Sequence, residues 1–183
     1  MRVDAMKLFK TLILSVSLLA TGQSFAQEPS ITTETYGSWT YRCSQVSKPN
    51  ADDTAVSKKA CELVQVLQDA KGNVIAQLAF GIDAASPEKI VSVMQVPQGA
   101  LLTVPVVLSD EDKKNTLQAP YFSCFNNICL ARTETNKEQL KSFGTSSKGN
   151  LEFADRSGRK IRVLLSFEGL SAASERLIST DQQ

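Results

Sequence analysis

Histidine is absent from the 183-residue chain, so the side chains that could do chemistry are those of cysteine, serine, lysine and the carboxylates. Without imidazole the chain cannot run a Ser-His-Asp or Cys-His mechanism or ligate a metal through histidine. The S-x-x-K spacing of serine acyl-enzymes occurs at Ser86 and Lys89 and at Ser157 and Lys160, but the companion sequences S-D-N and K-T-G are missing. No glycine-rich phosphate loop occurs either. A Ser/Lys or a carboxylate hydrolase remains as the enzyme that the sequence allows.

The cysteines are the second group with chemistry of their own. Four thiols could form a zinc site, a redox-active dithiol or two disulfides. The C-x-x-C spacing that the first two favour is absent. The first residues predict export to an oxidising compartment, which favours disulfides. We therefore predict two bridges among Cys43, Cys61, Cys124 and Cys129.

Four cysteines allow three pairings, and their spacing selects one. The Asn-Asn sequence at residues 126–127 lies between two apolar arms and suits a two-residue hairpin turn, because asparagine tolerates positive φ. In that register Cys124 lies opposite Cys129 in a non-hydrogen-bonded pair, where Cα atoms are about 4.5 Å apart. We predict a bridge between these two, which leaves Cys43 to pair with Cys61.

The first residues have the pattern of a secretory signal peptide. Basic residues precede an apolar run at residues 11–20, and the small residues Ser24 and Ala26 precede the predicted cleavage before Gln27. The apolar run is shorter than the roughly 20 residues that span a bilayer. We expect residues 1–26 to be removed, no stable membrane anchor to remain, and the protein to be periplasmic, with secretion or outer-surface association as alternatives.

Alternation of apolar and polar residues beyond this leader predicts a succession of β-strands with short turns. The first strand has Trp39 and Tyr41 on its inner face, and a core position explains these aromatic residues better than a ligand surface does. Pro105 makes the second half of the 90–108 region an edge strand or an irregular segment. Further strands are predicted at residues 63–67, 74–80, 90–96, 101–108, 151–153 and 161–167.

Two short helices complete the prediction. Thr135 and Glu138 have the spacing of a capping box for a helix that carries Leu140 and Phe143, and a terminal helix is predicted at residues 170–178. A composition with 42% hydrophobic and 21% charged residues is that of an ordinary globular domain. We expect a flexible N-terminal segment at residues 27–35 and a single, mainly β domain at residues 36–183, folded as an antiparallel β-sandwich.

Basic residues cluster around the last predicted hairpin turn. Arg156, Arg159, Lys160 and Arg162 fall within seven positions and form our candidate contact for a partner. If Ile161 and its alternate neighbours face the core, Lys160 and Arg162 share the solvent face. A solvated edge that blocks aggregation explains the cluster equally well. The whole chain has 20 basic and 19 acidic residues, a balance that does not attract nucleic acid.

Five segments resemble the invasion-associated locus B family of exported bacterial proteins. Each motif is weak alone, but their order and spacing are specific. Ile128 departs from the family pattern, which commonly has glycine before the second cysteine of the hairpin. The segments are the G-x-W-x-x-x-C opening at residues 37–43, the C-E-x-x-Q strand at 61–65, the P-x-G-x-x-L turn at 97–102, the paired-cysteine hairpin at 122–129 and the G-[FL]-S-A-A ending at 169–173.

The resemblance implies an immunoglobulin-like β-sandwich, a periplasmic or secreted location and a link, in some pathogens, to host-cell invasion. It implies no enzymatic activity and no catalytic residues. We expect a non-enzymatic interaction protein with an unknown protein or cell-surface partner, no cofactor and no metal. The alternatives are a periplasmic envelope-maintenance protein, a ligand-binding module, or the Ser/Lys or carboxylate hydrolase.

Overall fold

The computed structural model describes residues 31–48, 56–83 and 85–180. The predicted signal peptide and residues 27–30 lie outside this part of the chain. Within the predicted N-terminal segment, residues 31–35 form part of strand β1 (Ile31–Tyr36), which pairs antiparallel with the strand that follows it. The side chains of β1 are mostly exposed and polar, so no apolar alternation marks this strand in the sequence.

Within the described ranges, the larger sheet has seven antiparallel strands. β1 is followed in the chain by β2 (Trp39–Lys48), β3 (Val56–Gln68), β4 (Val74–Asp83), β5 (Ser86–Pro97), β8 (Tyr121–Phe125) and β9 (Ile128–Asn136). Their spatial order is β1-β2-β3-β4-β5-β9-β8. The chain therefore builds five neighbouring strands in succession, leaves the sheet after β5 and returns with β8 and β9.

The smaller sheet contains the strands formed during that excursion and after it. These are β6 (Val106–Asp110), β7 (Thr116–Ala119), β10 (Lys148–Ala154) and β11 (Lys160–Ser166), in the order β11-β10-β6-β7. The strand predicted at residues 101–108 begins only at Val106, directly after Pro105, and residues 98–105 carry the chain from one sheet to the other. Proline lacks the N–H that a strand pairing would need, which agrees with this boundary.

The inner faces of the two sheets form one apolar core. Trp39 and Tyr41 are fully buried, as their alternation predicts, and the Trp39 ring lies 5.7 Å from that of Phe80. The smaller sheet contributes fully buried side chains such as Leu108 and Leu151. The prediction of a mainly β, antiparallel, immunoglobulin-like sandwich is confirmed.

Both predicted helices are present, as α1 (Lys137–Phe143) and α2 (Leu170–Thr180). The predicted capping box is wrong, because the N-cap of α1 is Asn136, whose side chain accepts a hydrogen bond from the Gln139 backbone N–H. Thr135 still belongs to β9, and its hydroxyl bonds to the Gln139 side chain. Among the described residues, no helix has both the length and the apolar character to cross a membrane.

Candidate functional site

Two disulfides join residues that lie directly opposite each other on neighbouring strands. Cys43 of β2 bonds to Cys61 of β3 and Cys124 of β8 to Cys129 of β9, with Cα separations of 4.0 and 4.1 Å. The two asparagines at 126–127 have φ of 46° and 66°, as a two-residue hairpin turn requires. Both predicted pairings are confirmed, and no free thiol is left for zinc or redox chemistry.

Residues of the family-like motifs meet where the two sheets join. Gln65 is 4% exposed, and its amide nitrogen donates to the backbone carbonyls of Ser38 (3.1 Å) and Ser166 (2.7 Å). Its amide oxygen accepts from the Ser166 N–H at 3.3 Å. The indole Nε1 of Trp39 donates to the same Ser166 carbonyl at 3.1 Å. We call these four residues, with Gly169, the inter-sheet joint.

Glycine is required at this joint by geometry. Gly169 has φ of +84°, and a Cβ there would overlap the Tyr36 carbonyl. Gly37 has φ of +56°, and a Cβ there would lie 2.5 Å from the Glu168 carbonyl oxygen, to which the Ser38 N–H donates a hydrogen bond at 3.0 Å. The motif residues Gly37, Trp39, Gln65 and Gly169 thus hold the sandwich together. Their role is structural, and they supply no reactive group.

The candidate basic residues lie together around the β10–β11 turn, but two of them are already paired. The Arg159 guanidinium contacts Asp155 at 2.9 Å, and that of Arg162 contacts Glu152 at 2.7 Å. A hydrogen bond from the Ser157 hydroxyl, together with backbone N–H groups, lowers the pKa of the Asp155 carboxyl. Among the described residues, Arg156 and Lys160 have no ion-pair partner. The turn is less strongly basic than the sequence indicates.

Alternation along β11 follows the prediction. Val163 and Leu165 are buried, whereas Lys160 and Arg162 are exposed on the opposite face. Leu164 shares that outer face and is 76% exposed, the highest value among the large apolar side chains whose exposure the structure describes. The doubled leucine at 164–165 is the one sequence signal for this feature.

Two cavities border β11 and were not predicted. One of about 660 Å³ lies between β11 and β3 and is lined by Ser38, Gln65, Val66, Leu67, Gln68, Ser147, Lys148, Leu164, Leu165, Ser166 and Glu168. Another of about 320 Å³ lies between β11 and the connection after β5 and is lined by Ile75, Pro97, Gln98, Gly99, Ala100, Phe153, Asp155, Ile161, Arg162 and Val163. Their walls come from strands far apart in sequence, which explains why no local pattern indicates them.

The disulfide hairpin carries two exposed aromatic side chains. Phe122 is 58% and Phe125 51% exposed, and both belong to β8, which ends the larger sheet. The register of the β8–β9 pairing shifts between Tyr121 and Ser123, and Phe122 lies at this shift. We call Phe122 and Phe125 the aromatic hairpin pair. Sequence alternation alone did not distinguish these rings from core residues.

Neither S-x-x-K sequence forms a serine–lysine arrangement. Lys89 Nζ donates to Glu134 at 2.8 Å, and this hydrogen bond raises the pKa of the lysine, whereas a lysine base needs a lowered one. The Ser157 hydroxyl donates to Asp155 at 2.6 Å. The described contacts therefore hold Lys89 in a surface ion pair and Ser157 in the β10–β11 turn.

The remaining perturbed groups have structural partners or are isolated. Arg176 of α2 contacts Glu34 of β1 at 2.8 Å and lies over the Tyr41 ring, 4.7 Å from its centroid. This pairing lowers the pKa of the Glu34 carboxyl and attaches β1 to α2. Burial raises the pKa of Tyr121 to about 12, and its hydroxyl has no partner among the described residues. The described acidic and cysteine side chains form no group of three that could hold a metal.

The sequence and the structure were compared with those of known proteins. Residues 39–177 match the family model described as Invasion associated locus B (IalB) protein. The crystal structure of invasion associated protein B from Bartonella henselae superposes with a TM-score of 0.67 at 19% identity, over 83% of this chain and 99% of that chain, a likeness that shows the fold. No curated protein matches the sequence. Because the family model covers more than half of its length, this chain belongs to the invasion-associated locus B family.

Proposed function

We propose that this protein is exported to the periplasm or beyond the cell and acts without enzymatic activity, by contact with another macromolecule. The aromatic hairpin pair carries this proposal. Phe122 and Phe125 are more than half exposed on a strand that a disulfide fixes to its neighbour. Aromatic side chains are enriched where protein partners bind, and a rigid scaffold lowers the entropy cost of binding.

Three further observations support it. The chain has no imidazole, and in its S-x-x-K sequences Lys89 and Ser157 bond to carboxylates while Lys160 is exposed. The four cysteines are consumed in disulfides, and oxidised cysteines are typical of exported proteins. The related Bartonella structure is named as invasion associated, which makes host-cell surface protein one reasonable source of a partner.

The test of contact is affinity capture from periplasmic extract and from host-cell surface extract. We expect a partner to be captured by the unchanged protein and lost with the variant Phe122→Ser/Phe125→Ser. The matched control is Ile31→Ser/Val74→Ser, which removes two apolar side chains of similar exposure, 58% and 53%, from other strands. A second variant changes all four basic turn residues, Arg156, Arg159, Lys160 and Arg162, to serine.

The results of the capture experiment distinguish binding by the aromatic hairpin pair from binding by the basic turn. Capture that survives the phenylalanine variant would remove the aromatic hairpin pair as the contact, and loss with the basic turn variant would assign the contact to that turn. Saturable hydrolysis of a periplasmic substrate by the pure protein would contradict the non-enzymatic proposal.

Export predicts a defined mature end. We expect protein recovered from the periplasm or medium of the native host to begin at Gln27, because signal peptidase cleaves after small residues such as those at Ser24 and Ala26. N-terminal sequencing measures this directly. Replacing Ala26 by arginine should leave an uncleaved precursor. Exported protein that retains Met1 or Met6 would show that the predicted cleavage does not occur.

A further inference from the structure

The edge strand β11 has one side without a neighbouring strand among those described. The Phe167 N–H donates to Ser147 and the Asp155 N–H to Arg159, so odd-numbered residues of β11 face β10 with their backbone groups. By alternation, the N–H and C=O of Arg162, Leu164 and Ser166 point away from β10. These groups form an open edge to which another strand could bond.

The chain itself already fills one end of this edge. Both backbone groups of Ser166 bond to the side-chain amide of Gln65, the carbonyl at 2.7 Å and the N–H at 3.3 Å. A carboxamide has the same donor and acceptor as a peptide group, so Gln65 occupies the place that one residue of an added strand would take. The open length of the edge is therefore residues 160–164.

The two cavities open along the same edge. The smaller is lined by Ile161, Arg162 and Val163, and the larger by Leu164 and Leu165, so each takes in residues from both faces of β11. A strand added beside β11 would direct alternate side chains toward the interior, as β11 does. Those side chains would enter cavities of about 320 and 660 Å³ whose walls include Ile75, Phe153 and Leu67. Apolar side chains suit these positions.

The outer side of the edge is basic. Lys160 and Arg162 lie there, with Arg156 and Arg159 in the adjoining turn, and only Arg159 and Arg162 have acidic partners among the described residues. A second copy of β11 would fit poorly, since antiparallel pairing centred on Arg162 places two arginines directly opposite each other. The unpaired charge of Lys160 and Arg156 favours an acidic strand instead.

We propose that the open edge of β11 binds an extended, acidic polypeptide segment as a fifth strand of the smaller sheet. Its alternate residues are apolar and enter the two cavities, and the residues between them are acidic and lie beside Lys160 and Arg156. This surface is separate in sequence from the aromatic hairpin pair, so it adds a second contact and a defined ligand chemistry to the proposed function. Backbone hydrogen bonds supply affinity, and the side-chain alternation supplies specificity.

The probe is a displayed library of random decapeptides selected on the purified, oxidised protein. We expect the enriched sequences to alternate acidic and apolar residues. One enriched peptide is then synthesised and titrated calorimetrically, and amide hydrogen exchange is followed with and without it. Exchange at Arg162 and Leu164 should slow when the peptide binds, because an added strand protects the N–H groups of the open edge.

Matched variants test each part of the interaction. Leu164→Pro removes an N–H that no strand of the fold uses, so the fold should persist while peptide affinity falls by about tenfold or more. Leu164→Thr loses the same apolar side chain but keeps the N–H, so its affinity should exceed that of Leu164→Pro by about fivefold or more. Lys160→Glu should weaken binding by about threefold or more at low salt, whereas Lys71→Glu, an exposed lysine in the β3–β4 turn, should not.

Each result decides the proposal. Failure to enrich any peptide, enrichment without acidic alternation, or equal affinity of the Leu164→Pro and Leu164→Thr variants would overturn strand addition at β11. Two versions of the peptide, each N-methylated at one of the two alternating sets of residues, that both bind as tightly as the parent would do the same. The affinity capture described above reports separately on the proposed function, because a partner held by the aromatic hairpin pair would still be captured by Leu164→Pro.

Discussion

Replacing Gly169 with alanine is expected to lower the free energy of unfolding by about 3–5 kcal/mol, which places it among the largest effects of a single substitution. Two costs add. The residue has φ of +84°, where a side chain is strained. In addition, the new Cβ overlaps the Tyr36 carbonyl and lies 2.8 Å from the Gly37 backbone nitrogen, so main chain must move at the inter-sheet joint.

Gly158 provides the matched control. It has nearly the same φ, +81°, but a Cβ there meets nothing within 4 Å. Gly158→Ala should therefore cost only the backbone term, about 1–2 kcal/mol. Urea unfolding of the oxidised proteins measures both values. Equal losses for the two variants would show that the overlap of the new Cβ at residue 169 with the Tyr36 carbonyl adds no cost to the backbone strain.

Trp39→Ala is expected to destabilise the fold by about 3–5 kcal/mol. The indole is fully buried against Phe80 and donates to the Ser166 carbonyl of the smaller sheet. Its removal leaves a large cavity between the sheets, which packed neighbours cannot fill without moving.

Trp39→Phe separates packing from hydrogen bonding. This variant keeps a ring against Phe80 and loses the Nε1 donor, while the Ser166 carbonyl still accepts from Gln65. We expect a loss of about 1–2 kcal/mol, measured by the same unfolding experiment. If the alanine variant were no less stable than the phenylalanine variant, the Trp39 ring would not be a main contact between the sheets.

Local patterns predicted the parts of this fold that depend on near neighbours. Period-two alternation located Trp39 and Tyr41 in the core, because a strand with one buried face must alternate. The Asn-Asn turn fixed the register of the hairpin and hence the pairing of Cys124 with Cys129. The charged outer face of β11 followed from the same alternation. Each of these inferences needs only residues within one hairpin.

Features made by distant residues were not predictable in this way. Gln65 is a polar residue in the core, and its role depends on Ser166, which lies 101 positions later. The cavities beside β11 likewise need the placement of one sheet over the other. Strand β1 is stabilised by Arg176 from the last helix, a partner that its own sequence does not indicate. The open edge of β11, with the two cavities beside it, belongs to this class, so the structure was needed to find it.

The disulfides have a consequence for how the chain matures. Each joins two consecutive strands, with sequence separations of 18 and 5 residues. The partners in each pair therefore meet as soon as their own hairpin forms, before the two sheets come together, since closing a short loop costs less entropy than closing a long one. Oxidative folding can then reach the native pairing directly, without an isomerase to correct crossed bridges. A refolding experiment that begins from the reduced chain should show both native bridges before the Trp39 indole becomes buried.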